Sequence, residues 1–203
     1  MSHTEDKKSG CTEGETYSET NAMHLSDKRN AGIHLEIQNG DFIFGINGQT
    51  WISGPGNIPE ISGKVRTEPA VGTRMRLEAE RETVSAVMEY RGGAGEKTEI
   101  RRTLECCPIS GSFTVQDEPV KGLENDCITE VLRFVQPVRI LDGMAVTEME
   151  GRRVTVFVRN QENLRVEREQ MPEELQRKNC YCLKWEMKKG CAYTCCQVEI
   201  QEM

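Results

Sequence analysis

Five cysteines near the C-terminal end are the densest set of chemistry-bearing side chains in this chain: Cys180-x-Cys182, Cys191 and Cys195-Cys196. Read as the two arms of a hairpin, Cys180 and Cys182 share a face, as do Cys191 and Cys195. Four thiolates on one side of such a hairpin could hold a zinc ion. The spacings oppose this reading, because one and three intervening residues are not the Cys-x-x-Cys of a zinc knuckle. Cysteine is also a good small apolar filler, so packing thiols are the expected role and no metal or cofactor is expected. Cys106-Cys107 cannot both face one side of a strand, and no function is assigned to the pair. His34, the last of the chain's histidines, reads as a half-exposed strand residue. Trp51 stands beside Gly54-Pro55-Gly56 and could stack on a sugar ring, although a core tryptophan is commoner. Gly92-Gly93-Ala94-Gly95 lies between strand patterns rather than ahead of a helix, so it reads as a hairpin loop and not a phosphate cradle.

The elements that must position these residues are strands. Ile33, Leu35 and Ile37 alternate with polar neighbours, and Phe42, Phe44 and Ile46 follow a turn at Asn39-Gly40. Asn47-Gly48 has the composition of a two-residue hairpin turn. Met75, Leu77 and Ala79, then Ala86, Met88 and Tyr90, then Phe113 and Val115, then Val154, Val156 and Val158 repeat the period of two. The run around Val131 to Phe134 alternates less cleanly and reads as a strand buried on both faces. Tyr181, Leu183, Trp185 and Met187 form one face of a last hairpin that turns at Lys188-Lys189-Gly190 and returns through Thr194, Cys196, Val198 and Ile200. Only 171–178, with Pro172 ahead of Glu173 and Glu174, suggests a short helix. Strand patterns between Gly, Asn and Pro turns predict a sandwich or barrel.

Residues 1–30 are polar, with Ala22 to Leu25 as the segment that could anchor them. They are expected to form a flexible tail ahead of one domain over 31–203. The chain has 203 residues, 36% of them hydrophobic and 29% charged, and a net charge of −7. Basic residues are interspersed with acidic ones, which argues against a nucleic-acid surface. No run reaches the roughly 20 apolar residues of a membrane-spanning helix. The N-terminal residues lack the apolar core of a secretory signal, so a cytoplasmic location with reduced thiols is expected.

The segment from His34 to Gly56, with its two short strands, Gly48 turn and Gly-Pro-Gly exit, resembles the opening of the C-terminal β-domain of heparinase II/III-type polysaccharide lyases. Ile100 to Leu104, Gly111 to Asp117 and Thr129 to Ile140 are similar to later strands of that domain. The resemblance implies an all-β fold: a two-sheet antiparallel supersandwich with at most one or two short helices. It places His34 where the family's first histidine faces a cleft against an α-helical toroid. At the family's zinc-ligand positions, Glu36 stands for histidine and Gly54 for aspartate, and no histidine follows residue 34 to supply a third ligand. Gln38 replaces a further acid.

The expected function is therefore a stand-alone, non-catalytic carbohydrate-associated module with a polysaccharide or glycan partner and no complete lyase site. Two alternatives stay open. One is the β-domain half of a split lyase, using His34 against a toroid-type subunit. The other is a structural or interaction protein with no ligand. Trp185 is expected inside the sandwich, and Trp51 partly exposed.

Overall fold

The computed structural model describes residues 22–26, 33–38, 41–54, 56–61, 65–69, 74–78, 83–92, 99–107, 112–121, 127–170 and 179–203. Among these residues there are strands and turns and no helix. Residues 1–21, the glycine-rich loop at 93–95 and the helical stretch expected over 171–178 lie outside the described residues.

The strands form two sheets in which every paired neighbour is antiparallel. The first contains β1 (Ala22–Ser26), β2 (Ile33–Gln38), β3 (Asp41–Ile46), β4 (Gln49–Ile52), β12 (Ile128–Phe134), β17 (Asn179–Met187) and β16 (Gln161–Gln170), in that spatial order. The short β5 (Glu60–Ile61) also pairs with β12, and β6 (Val65–Arg66) pairs with β5. The second sheet runs β13 (Val138–Leu141), β14 (Met144–Met149), β15 (Arg152–Arg159), β18 (Thr194–Glu202), β11 (Ser112–Lys121), β10 (Glu99–Cys107), β9 (Thr83–Arg91) and β7 (Glu68–Pro69), with β8 (Arg74–Glu78) also on β9. The two sheets pack as a sandwich, the fold class expected. The expected anchor Ala22 to Leu25 falls in β1, which pairs with β2 along its whole length.

Alternation fixes which side chains meet between the sheets. Leu35, Ile37, Phe42 and Phe44 from the first sheet meet Leu104, Phe113 and Val115 from the second in one continuous core. Phe44 stacks on Phe113 with centroids 4.7 Å apart. All seven residues of β12 are buried, as its weak alternation predicts. Its inner face carries Leu132 and Phe134, while Val131 joins Cys180 and Cys182 in a small second cluster.

Several turns follow directly from local chemistry. Asn47-Gly48 links Ile46 to its partner Gln49 with φ of 51° and 77°. Both values are left-handed, which a type I′ hairpin turn requires and which Asn and Gly tolerate. Asp142-Gly143 and Glu150-Gly151 repeat the geometry on either side of β14.

The C-terminal hairpin expected from the sequence does not form. β17 pairs with β12 and β16 in the first sheet, and β18 pairs with β11 and β15 in the second. The residues between them carry the chain from one sheet to the other. Period two tells which residues share a face, but not which strand lies alongside, so hairpin and crossover look alike in sequence.

Trp185 is 1% exposed, lies inside with Leu183 and Met187, and donates its Nε1–H to Thr194 Oγ1 across the sandwich at 2.9 Å. Trp51 corrects an expectation. It is 2% exposed and belongs to the core, because the register slips beside it between Phe44 and Gly45. Its Nε1 has no acceptor among the described residues. Two outcomes are expected in urea melts. Trp185→Ala and Trp51→Ala should each lose about 3–5 kcal/mol, as buried aromatic truncations do. Trp51→Phe should retain most of the stability, because it also removes a buried donor that has nothing to bond.

Candidate functional site

His34 and Glu36 alternate with the core residues Leu35 and Ile37, so they project from the outer face of the first sheet. His34 is half-buried, and its ring lies over the Cα of its cross-strand partner Gly45. A Cβ at position 45 would collide with the imidazole and approach the Gln49 carbonyl, so the ring occupies the space that glycine leaves. The imidazole is thus placed by packing. Proton abstraction and return need several such groups within hydrogen-bond reach of one substrate atom. One imidazole packed over a glycine does not by itself constitute that set.

The Gly-Pro-Gly exit is clamped from both sides. Asp41 accepts backbone N–H bonds from Phe42 at 2.7 Å, from Asn57 at 3.1 Å and from Gly56. The Asn57 side chain donates to Phe42 O at 2.9 Å and Ser53 O at 2.8 Å, and its Oδ1 accepts Arg133 N–H at 2.7 Å. One amide therefore joins β3 to β12 just beyond β4, whose only register pair with β12 is Ile52–Phe134. Gly56 has φ of 122°, and Arg133 donates to its carbonyl. A side chain at position 56 would overlap that guanidinium. At the positions where the sequence resemblance puts zinc ligands, Glu36 is the one anionic donor, and a Cβ on Gly54 would come 3.4 Å from Asp41 Oδ2. These residues do not fit a three-donor zinc site.

Directly beneath this loop lies a buried charge cluster that the sequence reading passed over. Arg102 on β10 is fully buried and meets Asp117 across the strand pair, through Nε–Oδ1 and Nε–Oδ2 at 3.0 Å and Nη2–Oδ2 at 2.7 Å. Its Nη2 also reaches Glu130 Oε2 on β12 of the opposite sheet at 2.5 Å, and its Nη1 donates to Asn57 O. The guanidinium sits 5.4 Å from the Tyr90 ring centre and 5.8 Å from that of Phe42. A signal was present: Arg102 falls between Ile100 and Leu104 on the inward period, and Asp117 follows Phe113 and Val115 on theirs.

Burial would lower the Arg102 pKa, but Asp117, Tyr90 and Glu130 together outweigh it and Arg102 stays charged. Burial pushes Glu130 well above the usual carboxylate value, Asp117 pushes it further, and Arg102 opposes both. Protonated Glu130 leaves the trio neutral, which is the arrangement a dry interior favours.

The cysteines are divided among three places. Cys180, Cys182, Cys191, Cys195 and Cys196 are all free thiols. Cys180 and Cys182 lie on the outer face of the first sheet, with sulfurs 3.7 Å apart. Cys191 is in the crossover, and Cys195 alternates with the core residue Cys196 on the second sheet, so it faces outward there. The four thiols that could have held a zinc ion are therefore not one set: the Cys180–Cys182 pair and Cys195 face outward from opposite sheets, which themselves lie roughly 10 Å apart. Glu169, the cross-strand partner of Cys180, takes the place beside Cys180 and Cys182 instead.

A cleft of about 320 Å³ opens at one end of the sandwich between the Asn47 turn, Gln49, the Glu150-Gly151 turn, Arg152 and Glu202. Its lining is amide, carboxylate and guanidinium with two methionines and no aromatic ring.

These features define an antiparallel β-sandwich domain whose inner face is structural and whose outer face and rim are polar. The solved structure of a heparinase III shares this fold, with a TM-score of 0.66 at 12% identity. The match spans 93% of this chain and 36% of that one, so the chain corresponds to about a third of the heparinase III chain. No family profile and no curated protein matches the sequence.

The buried trio should set the pH dependence of stability. Glu130 is raised in the folded state, so its contribution is fully present below the ordinary value of 4.5 and declines as pH rises toward the folded value. The slope approaches about 1.4 kcal/mol per pH unit. Glu130→Gln, permanently neutral, should flatten that decline when unfolding is followed across pH. Arg102→Met strands the buried Asp117 carboxylate and should lose about 3–5 kcal/mol at neutral pH.

Proposed function

We propose that this chain is a non-catalytic, carbohydrate-associated β-domain related to polysaccharide lyases. The observation that carries the reading is the coverage of the fold match: nearly all of this chain against only part of a heparinase III. The site chemistry is consistent with it. The zinc-ligand positions hold one anionic donor, Glu36. Trp51 has no exposed ring face for stacking. The rim cleft is the better glycan subsite, because Gln49, Arg152 and Glu202 offer planar donors and acceptors suited to sugar hydroxyls. A net charge of −7 favours a neutral glycan over a polyanion.

A second reading, the β-half of a two-chain lyase, draws on the outward placement of His34 over Gly45. One pair of measurements separates the two. The chain alone should produce no ultraviolet absorbance from unsaturated uronate when mixed with heparin, heparan, alginate or chondroitin. Calorimetric titration with neutral oligosaccharides should give binding that Gln49→Ala weakens about tenfold and His34→Ala leaves unchanged. A steady absorbance rise when a toroid-type lyase subunit is added, abolished by His34→Ala, would select the enzymatic reading. No binding to any glycan, with no absorbance change with or without that subunit, would reject both.

A further inference from the structure

The side-chain cluster on the outer face of the first sheet has the geometry of a cation site. Cys180 and Cys182 stand one residue apart on β17 and share a face, with Sγ atoms 3.7 Å apart. Two sulfurs each ~2.3 Å from a tetrahedral zinc lie about 3.8 Å from one another. The bite is therefore already set. A Glu169 carboxylate oxygen from the neighbouring strand lies within 4.8 Å of both sulfurs. Among the described residues this is the one place where three such donor atoms converge.

The surroundings suit a thiophilic dication. Val131 packs with the two cysteines as an apolar floor. Arg133 Nη2 lies 3.2 Å from Glu169 Oε2, and Lys184 Nζ lies 3.0 Å from Oε1. These two contacts orient the carboxylate and leave further lone pairs on its oxygens, the role that partners of metal-ligating carboxylates play elsewhere. Two thiolates and one carboxylate around a dication leave a single net negative charge, which Arg133 and Lys184 sit close enough to offset.

We propose that Glu169, Cys180 and Cys182 bind one zinc-type divalent cation, with a fourth position open to water or an added ligand. Binding displaces the two thiol protons to solvent and forms two metal–sulfur bonds and one metal–oxygen bond. The site is distinct from the zinc positions implied by the sequence resemblance and from the rim cleft, and it does not depend on glycan binding.

The test uses the full reduced chain, stripped with a chelator and titrated with cobalt(II). The expected result is sulfur-to-cobalt charge transfer in the near ultraviolet with tetrahedral visible bands, saturating at one equivalent and displaced by zinc. Cys180→Ser and Cys182→Ser should each abolish the charge-transfer pattern of paired thiolates. The Cys191→Ser, Cys195→Ser double variant should keep it intact. Cys182 is buried, so Glu169→Gln supplies an independent arm on a more exposed residue. That variant should melt like wild type while its cobalt affinity falls about tenfold or more. A wild-type chain with no charge transfer would overturn the proposal. So would a spectrum that survives Cys180→Ser, disappears in the Cys191, Cys195 variant, or ignores Glu169→Gln.

Discussion

Arg102 is the point where the two sheets and the Gly-Pro-Gly loop are tied together. Its guanidinium bonds to Asp117 in its own sheet, to Glu130 in the opposite sheet and to the carbonyl of Asn57 in the loop between them. Hydrophobic faces bring two sheets together without strongly fixing how one slides over the other. A buried guanidinium is far less tolerant, because each N–H that loses its acceptor in a dry interior is left unsatisfied. The bonds from Arg102 therefore constrain the relative position of β10, β11 and β12. Removing Arg102 would leave the carboxylates facing apolar surroundings, so the elements here are interdependent.

The Asn57 clamp applies the same logic within one sheet. Past Ile52 the contact with β12 ends after Ser53 N–H donates to Arg133 O at 2.8 Å, and Phe42 O and Arg133 N–H need other partners. The Asn57 amide supplies them, donating to Phe42 O and accepting from Arg133 N. Asp41 holds the loop from the other side. A residue at 56 can pass Arg133 only if it has no side chain, so Gly56 is a requirement of close approach as well as of its positive φ.

Function in such a molecule must lie on its outer faces and rims, since the interior is committed to packing and to the Arg102 cluster. Much of the outer face of the first sheet is taken up by ion pairs among Arg133, Lys184, Arg165, Glu167 and Glu169. The Arg165–Glu167 pair is exposed and adds little stability, whereas Arg133 and Lys184 are largely buried. Around Cys180 and Cys182 they do something else, because they hold a carboxylate at a fixed place beside two thiols. The same face carries His34, set apart by its packing over Gly45. The fold shared with part of a heparinase III thus provides a frame, while the side chains on it differ from those the family resemblance implies.

The sequence alone determined the strand character and its faces. Period two in β2, β3, β9, β11, β15 and β17 marks the inward residues, and Trp185 lies where that period puts it. The all-β class, sandwich or barrel, and the Asn47-Gly48 turn were equally legible, because side-chain alternation and left-handed φ preferences are local properties; the choice of a two-sheet sandwich came from the family resemblance. Strand partnership was not local, so the expected β17–β18 hairpin proved to be a crossover. The four-cysteine set was dispersed over opposite faces, and Glu169 joined Cys180 and Cys182. Trp51, for which partial exposure was expected although a core tryptophan is commoner, is core, beside one slip of register at Gly45. Arg102, Asp117 and Glu130 were each visible as charges on inward positions or in a strand buried on both faces. Only the packing of one sheet on the other decided that they meet, because their contact spans residues far apart in sequence and no local preference encodes it.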